Sequence, residues 1–163
     1  MTNVLLSLGS NTDNPQAQLA VALGHLRNLP DTQVTAQSSV FTTAPWGKTD
    51  QPDFLNMAVT LSTAIDVVQL MSYIVDIEHK MGRERIEKWG PRKIDIDIIL
   101  FGNEVSTHEK VIVPHPHMHE RRFVLQPSAE IAGNMIHPVL NKTIAELLIA
   151  CPDSTVAAPL LTE

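Results

Sequence analysis

A short stretch of alternating isoleucine and aspartate constrains the fold more than any other part of this sequence. Isoleucine occupies positions 94, 96 and 98, which predicts a half-buried β-strand with a two-residue period. In that phase Leu100 extends the apolar face, while Asp95 and Asp97 lie together on the opposite face. The strand is therefore predicted to present two carboxylates side by side.

Two carboxylates at this spacing have Cα atoms about 6.5–7 Å apart, so they can share a hard cation or hold two. The alternative is that they form the solvated face of an edge strand, where charged residues are common. The preceding segment favours the cation site, because it is rich in glycine and positive charge. Its basic residues are Arg83, Arg85, Lys88 and Arg92. A metal-holding carboxylate pair beside a cationic loop suits a polyphosphate substrate.

The overall composition narrows the class of protein. A length of 163 residues suits a single domain, expected to span residues 1–163. The net charge of −6 argues against nucleic acid as the main partner. The single cysteine, Cys151, excludes an internal disulfide and is expected to be a packed thiol in a reducing compartment. The N-terminus has no basic region before its apolar run, so we expect a cytoplasmic protein without a membrane segment.

The order of predicted elements is strand, helix, strand, strand, helix, strand, followed by a hairpin and a last helix. The second strand is predicted to run from Val34 towards Thr43, and a Gly-Asn pair at position 102 predicts a tight hairpin turn. Residues 152–163 show no periodicity and are expected to fray. This order predicts an α+β sandwich with helices packed on an antiparallel sheet.

Three other features are candidates for function. Phe54 and Asn56 share one face of a strand; they are suited to binding a flat heterocycle, or they make ordinary cross-strand contacts. Glu78 lies beside the apolar stripe of the second helix, where a carboxylate needs a partner. The histidines at positions 115, 117 and 119 alternate with prolines or other residues, so a histidine donating to phosphate is favoured over a zinc site.

Several motifs together resemble the 6-hydroxymethyl-7,8-dihydropterin pyrophosphokinase family of folate biosynthesis. The segment at 88–99, Lys-Trp-Gly-Pro-Arg-Lys-Ile-Asp-Ile-Asp-Ile-Ile, resembles the family signature. The other matching motifs follow in the family's order and are Leu8 to Asn11, Thr43 to Gly47, Gln51 to Asn56, Ile77-Glu78 with Gly82-Arg83, and Val113 to His115 with Arg121 and Phe123. The resemblance covers nearly the whole chain.

The resemblance implies a ferredoxin-like βαββαβ fold, a three-layer α/β/α sandwich with a mainly antiparallel sheet. It implies transfer of the diphosphoryl group of ATP to the hydroxymethyl-dihydropterin, giving AMP and the pterin diphosphate. Asp95 and Asp97 would then hold two Mg²⁺ ions, the usual mode for Mg²⁺ bound through carboxylates and phosphates. Together with Arg83 and Arg92 they are the expected catalytic residues. The partners would be these two small molecules, without nucleic acid or membrane, and the chain is expected to be a monomer.

The same resemblance assigns the substrate-binding residues. Those expected to bind the pterin are Thr43, Ala44, Trp46, Phe54, Asn56, Trp89 and Phe123. Those expected to bind ATP are Glu78, Arg83, Arg85, Arg92, Ile98, Lys110, Ile112, His115 and Arg121. Arg85 and Trp89 would also close over the site and exclude water.

Three residues depart from the family pattern, and two other functions are compatible with the sequence. Ala44, Phe54 and His117 stand where relatives often carry proline, tyrosine and arginine. One alternative is an RNA-binding module, because the same element order occurs in the RRM fold; the acidic charge and the lack of its aromatic strand argue against it. The other is a magnesium-dependent phosphotransferase of similar fold that acts on a different alcohol.

Overall fold

The chain folds into eight described strands and four described α-helices. The structure is a computed structural model that describes residues 1–12, 14–44, 50–82 and 94–160. Its strands are β1 (Thr2–Ser10), β2 (Thr32–Gln37), β3 (Phe41–Thr43), β4 (Phe54–Thr63), β5 (Asp95–Phe101), β6 (Ser106–His108), β7 (Val111–Val113) and β8 (Ala157–Pro159). Its helices are α1 (Pro15–Arg27), α2 (Val67–Lys80), α3 (Arg122–Ala132) and α4 (Ile144–Ile149), with a 3₁₀ turn at Met118–Glu120.

Three of the helices begin directly after a residue whose side chain caps them. Asn14 and Asp66 each accept a hydrogen bond from a backbone N–H in the first turn of α1 and α2. Thr143 and Glu146 cap α4 reciprocally, as the sequence pattern indicates. Gly82, with φ of 75°, follows α2 in the left-handed region that favours glycine.

The main sheet has the order β5-β1-β4-β3-β8, and β2 also pairs with β4. Each pairing in this sheet is antiparallel. The sequence of elements from β1 to β5 is βαββαβ, with β2 and β3 lying one after the other along β4. The predicted α+β fold with helices on an antiparallel sheet is confirmed.

The helices cover both faces of the sheet and form two apolar clusters. The first cluster joins α1 and α2 to the face carrying Leu6, Val59 and Ile96. The second joins α3 and α4 to the face carrying Leu5 and Ala58. The second face is the one on which Asp95 and Asp97 lie. Among the described residues, no helix is both long and apolar enough to span a bilayer.

The predicted facing of the isoleucine strand is right except at its end. Positions 94, 96 and 98 belong to the first cluster, but Leu100 belongs to the second. The register against β1 shifts here, because Leu6 pairs with Ile98 while Leu5 pairs with Leu100. The extra residue, Ile99, reverses the phase of the alternation. The prediction that Leu100 shares the isoleucine face is therefore wrong.

Three further predictions about elements need correction. The strand expected from Val34 to Thr43 is two strands, β2 and β3. They are separated at Ser38, whose Oγ accepts from Ala58 N at 2.8 Å. The hairpin is formed by β6 and β7, not by a return of the chain directly after Gly102. Helix α3, which contains Pro127, was not among the predicted elements.

The expectation of a frayed tail at 152–163 is wrong for its described part. Residues Ala157–Pro159 form β8, which pairs with β3. Cys151 follows α4 and packs at the edge of the second cluster, in agreement with the expected packed thiol.

Candidate functional site

The second face of the sheet changes from apolar to polar towards the end of β1. In one cross-strand row Asp97 pairs with Ser7. In the next row Asp95 pairs with Gly9, and Gly9 pairs with Asn56 on its other side. We call the second row, Asp95–Gly9–Asn56, the polar row. Both aspartates are half-buried and lie on the same face, as the two-residue period predicts.

Gly9 makes room in the polar row for the side chain of Asn56. A Cβ atom at position 9 would lie 2.7 Å from Asn56 Oδ1, closer than side chains tolerate. The amide cannot easily move away, because Asn56 Nδ2 donates to Thr43 Oγ1 at 2.5 Å and the residue is buried. This arrangement fixes the orientation of the amide and leaves Oδ1 over the glycine.

Two aromatic residues lie on the same side of the sheet as the polar row. Phe54 pairs with Thr43, shares the face of Asn56 and is half-buried. Phe123 lies in the first turn of α3 at the edge of the second cluster. The guanidinium carbon of Arg121 lies 5.9 Å from the centre of the Phe123 ring. Ala44 follows β3 and is exposed.

Asn11, directly after β1, joins the end of that strand to the segment that leads into β4. The sequence alone assigns this residue no separate role. Asn11 is buried, and its Nδ2 donates to Gln51 Oε1 at 2.8 Å and to Pro52 O at 3.1 Å. These bonds hold the start of β4, and hence Phe54, beside the end of β1. Only tertiary contacts could identify the amide's partners, because Gln51 and Pro52 lie 40 and 41 residues further along the chain.

Glu78 connects α2 to the edge of β5. The residue is 5% exposed, and its Oε2 accepts from Ile96 N at 3.0 Å. Ile96 lies between the two aspartates, so this bond anchors the outer edge of the strand that carries them. The sequence correctly predicted that this carboxylate lies near the core and needs a partner.

His115 lies near Asp95 and Arg121, and its surroundings keep it neutral. Burial lowers the pKa of His115 to about 4, helped by the positive charges of Arg121 and His117 and opposed by Asp95. His115 Nδ1 accepts from His117 N at 3.2 Å, so the proton of the neutral ring lies on Nε2. Nε2–H is therefore a neutral hydrogen-bond donor.

The remaining described candidates lie on β5 and on the β6–β7 hairpin. The Ile98 side chain is buried in the first cluster, so only its main chain can contact a ligand. Ile112 is half-exposed on β7, and Lys110 is exposed in the turn before it. The other predicted site residues fall outside the described residues and are Trp46, Arg83, Arg85, Trp89 and Arg92.

The aspartate pair fits Mg²⁺ better than a metal held entirely by protein. Among the described residues, no group of three or more histidines, cysteines, aspartates or glutamates could hold a metal ion. Mg²⁺ needs only one or two carboxylates when phosphates and water complete its octahedron. At positions 115–119, the rings of His115 and His117 meet edge to face with their centres 6.2 Å apart.

The comparisons with known proteins agree on one family. The family model described as 7,8-dihydro-6-hydroxymethylpterin-pyrophosphokinase (HPPK) matches residues 5–133. Proteins named 2-amino-4-hydroxy-6-hydroxymethyldihydropteridine pyrophosphokinase are similar over most of their length. That of Haemophilus influenzae is 37% identical over 91% of this chain and 92% of its own. Those of Methylorubrum extorquens and Bacillus subtilis are 40% and 43% identical, over 91% and 80% of this chain and 92% and 79% of their own.

Solved structures show the same fold at lower sequence identity. The Plasmodium falciparum HPPK-DHPS S436F/A437G/A613T triple mutant with STZ-DHP superimposes with a TM-score of 0.72 at 15% identity. The wild-type protein with pteroate gives 0.72 at 16% identity. Each match covers 91% of this chain but only 43% and 42% of the solved chains, so this chain corresponds to less than half of them.

Proposed function

Because this chain belongs to the 7,8-dihydro-6-hydroxymethylpterin-pyrophosphokinase family, we propose that it makes the pterin diphosphate of folate biosynthesis. The reaction moves the diphosphoryl group of ATP to the hydroxyl of 6-hydroxymethyl-7,8-dihydropterin. A bond forms between that oxygen and the β-phosphorus, the bond from the β-phosphorus to the bridging oxygen of AMP breaks, and AMP leaves. The hydroxyl proton is released. The chain is thus an ATP-dependent transferase.

The observation that carries the proposal is the polar row. Asp95 and Asn56 are separated by one strand, so their backbones lie about 10 Å apart across Gly9. A flat bicyclic ring held at Asn56 can therefore extend its hydroxymethyl arm over Gly9 towards the carboxylates. This separation supports the proposal that ring recognition and phosphate chemistry share one face of the sheet.

The pterin subsite is assigned to β3, β4 and α3. Phe54 and Phe123 offer aromatic faces on the same side of the sheet, and a ring between them gains stacking from both. Asn56, held by Thr43, presents Oδ1 to a ring N–H, and the main chain near Ala44 lies at the same end of β3. Trp46 and Trp89 are proposed to complete the pocket on the strength of the family motifs.

The ATP subsite is assigned to β5 and its neighbours. On the outer edge of β5, Glu78 accepts from Ile96 N and Ile99 O accepts from His115 N, and the main chain of Ile98 lies between these two bonds. The main chain of Ile98 on that edge, and Ile112 and Lys110 on the hairpin, are proposed to hold the nucleoside. Glu78 contributes by fixing the edge. The phosphates are assigned to His115 and Arg121, together with Arg83, Arg85 and Arg92.

Catalysis rests on positioning and charge neutralisation, as is usual for phosphoryl transfer. Asp95 and Asp97 would hold Mg²⁺, which when bound neutralises phosphate charge and orients the hydroxyl towards phosphorus. The neutral Nε2–H of His115 donates to a phosphate oxygen without drawing Asp95 into an ion pair. Arg121 adds a fixed positive charge beside it. A cytoplasmic, monomeric enzyme stays our prediction.

Release of AMP that depends on the added pterin tests this function. The purified chain with Mg²⁺ and ATP should release AMP only when 6-hydroxymethyl-7,8-dihydropterin is present, and the pterin diphosphate should appear in equal amount. AMP release with another alcohol and none with the pterin would instead support the phosphotransferase alternative. Calorimetry of the pterin with and without a non-hydrolysable ATP analogue and Mg²⁺ then measures the coupling between the two subsites.

Replacing Asp97 tests the metal assignment. The Asp97→Asn variant should lose activity by at least about a hundredfold, because the amide cannot supply the charge that holds Mg²⁺ against the triphosphate. Its fold should persist, since Asp97 lies off the first apolar cluster. Calorimetry should also show that Mg²⁺ no longer strengthens ATP binding.

Asp76→Asn is the matched control, because Asp76 is an exposed carboxylate of α2 that pairs across the helix surface with Lys80 at 3.0 Å. It should keep the activity and the Mg²⁺ dependence of the unmodified protein. A wild-type rate in Asp97→Asn would remove the support for the carboxylate pair as the metal site.

A further inference from the structure

The start of α3 is capped by a residue from the far end of the chain. Arg121, the residue at the N-cap position, makes no side-chain capping bond. Instead, Asp153 Oδ2 accepts from Arg122 N at 3.0 Å, and Arg122 Nε donates to Asp153 O at 2.8 Å. Asp153 Oδ1 in turn accepts from Thr155 N at 2.8 Å. The carboxylate is thus held both by the first turn of α3 and by the backbone at Thr155.

The chain that follows Asp153 continues to the other wall of the pterin subsite. Ala157 and Ala158 in β8 pair with Thr43 and Thr42 in β3, and Leu160 N donates to Val40 O at 2.7 Å. Residues 153–160, which we call the C-terminal strap, therefore link the first turn of α3 to β3. The first wall carries Phe123, and the second carries Thr43, the partner of Asn56.

We propose that the C-terminal strap, acting through Asp153, is a positioning element that fixes the two walls of the pterin subsite relative to each other. The inference rests on the proposed function, since it concerns the site of that reaction. The hydrogen bonds of Asp153 described above join it to Arg122 and Thr155, which are not among the residues assigned to the reacting groups. Its role is to hold Phe123 at the separation from β3 and β4 that a flat ring requires.

The physical reason lies in the charges at the start of α3. The first turn of a helix exposes backbone N–H groups and the positive end of its dipole, so the two arginines there are unfavourable. A carboxylate at this end counters both effects and stabilises the turn. Burial raises the pKa of Asp153, but hydrogen bonds from Thr155 and Arg122 outweigh it and leave the pKa below its ordinary value, which keeps the group charged.

Without the strap, Phe123 would lie in a first turn that frays. A ring-binding geometry populated for only part of the time weakens the apparent affinity by that fraction. ATP is assigned to β5, the β6–β7 hairpin and five phosphate-binding residues, of which Arg121 at the start of α3 is one, so its binding should depend much less on the order of this turn. A selective loss of pterin affinity is therefore the signature of a positioning role.

The test compares Asp153→Ala with a cap removed elsewhere. The KM for the pterin should rise about fivefold in Asp153→Ala, whereas the KM for ATP should change by less than about twofold. Asp153→Asn should restore part of the pterin affinity, because its single amide oxygen can accept from Arg122 N, whereas its NH2 group cannot accept from Thr155 N and the negative charge is lost. Thr143→Ala is the matched control: it removes the capping bond of α4, which carries none of the assigned site residues.

The outcomes separate the two proposals. If the unmodified chain releases no pterin-dependent AMP, the proposed function fails, whatever the variants do. If it does, an unchanged pterin KM in Asp153→Ala, or an equal rise in Thr143→Ala, overturns the positioning role. Should Asp153→Ala fail to fold, Ala158→Pro loosens the strap at β3 instead and should raise the pterin KM in the same selective way; a normal pterin KM there would count against the strap.

Discussion

Single residues at this site take their chemical state from neighbours that lie far away in the chain. His115 is neutral because burial and Arg121 act on it, and Asp95, twenty positions earlier, is the charge that opposes them. Glu78 in α2 accepts a hydrogen bond from Ile96 N in β5. The residue types could be read from the sequence, but their partners could not, since each contact joins segments that only the fold brings together.

The lowered pKa of His115 predicts how its replacement changes the pH dependence of stability. An unfolded histidine binds a proton near pH 6.5, whereas folded His115 does so near its pKa of about 4. Between these values the unfolded state holds more protons, so this residue makes the free energy of unfolding fall as the pH is lowered through that window. In His115→Gln the fall should be shallower.

Urea unfolding of both proteins at several pH values between about 7 and 4 measures this difference. The two stability curves should run parallel above the window, and inside it the free energy of unfolding of the variant should fall less as the pH is lowered. Parallel curves across the whole range would contradict the lowered pKa of His115.

At the level of elements, capping explains which helices the sequence revealed. Asn14, Asp66 and Thr143 are local signals, and each helix that they cap was predicted. Helix α3 has no such local signal, because its cap is Asp153, which lies 31 residues after the Arg122 N–H that it accepts from. Strand β8 was missed for a related reason: three residues without an apolar period form a strand only when β3 offers a partner.

The pairing of β1 with β4 predicts that Gly9 cannot carry a side chain without loss of pterin binding. In Gly9→Ala the new Cβ would meet Asn56 Oδ1 at 2.7 Å, and the amide is held by Thr43. Asn56 must then leave the orientation in which it meets the ring. The pterin affinity should fall by about tenfold or more, because a buried polar group of the ligand would lose its partner.

Gly24→Ala is the control, because no atom lies within 4 Å of a Cβ built at that helical glycine. Alanine there should keep both substrate affinities and raise the melting temperature slightly, as it favours helix more than glycine does. Calorimetry of the pterin with each variant separates the two cases. Normal pterin binding by Gly9→Ala would show that Asn56 is free to move.

At the level of the whole molecule, the sheet separates the layer that supplies most of the core from the layer that forms the site. The first cluster contains the apolar faces of α1, α2 and the central strands. The second cluster is smaller and gives way to the polar row towards the end of β1. Stability and substrate binding therefore depend on different faces of the same strands.

A cavity in the first cluster should lower stability and leave the site intact. Ile74 in α2 is fully buried, so Ile74→Ala should reduce the free energy of unfolding by about 2–5 kcal/mol. Below the unfolding transition, the KM values for ATP and the pterin should stay near those of the unmodified protein. Denaturant unfolding and steady-state kinetics measure the two effects.

Val75→Ala is the control on the same helix, because Val75 is 55% exposed and its replacement should change the free energy of unfolding by at most about 0.5 kcal/mol. A large change in the pterin KM of Ile74→Ala would mean that the two faces of the sheet are coupled, contrary to the separation described here.

The sequence by itself determined the elements that carry their own signals. The alternation at 94–98 was enough to predict a strand with Asp95 and Asp97 on one face, because side chains of a strand alternate whatever it pairs with. The motifs of the sequence were enough to indicate the family. Tertiary structure alone decided what depends on pairing: the reversed phase at Leu100, the cap that Asp153 gives to α3, and the placing of Asn56 across Gly9 from Asp95. These contacts join residues distant in sequence, and no local pattern encodes which strand or helix will lie alongside.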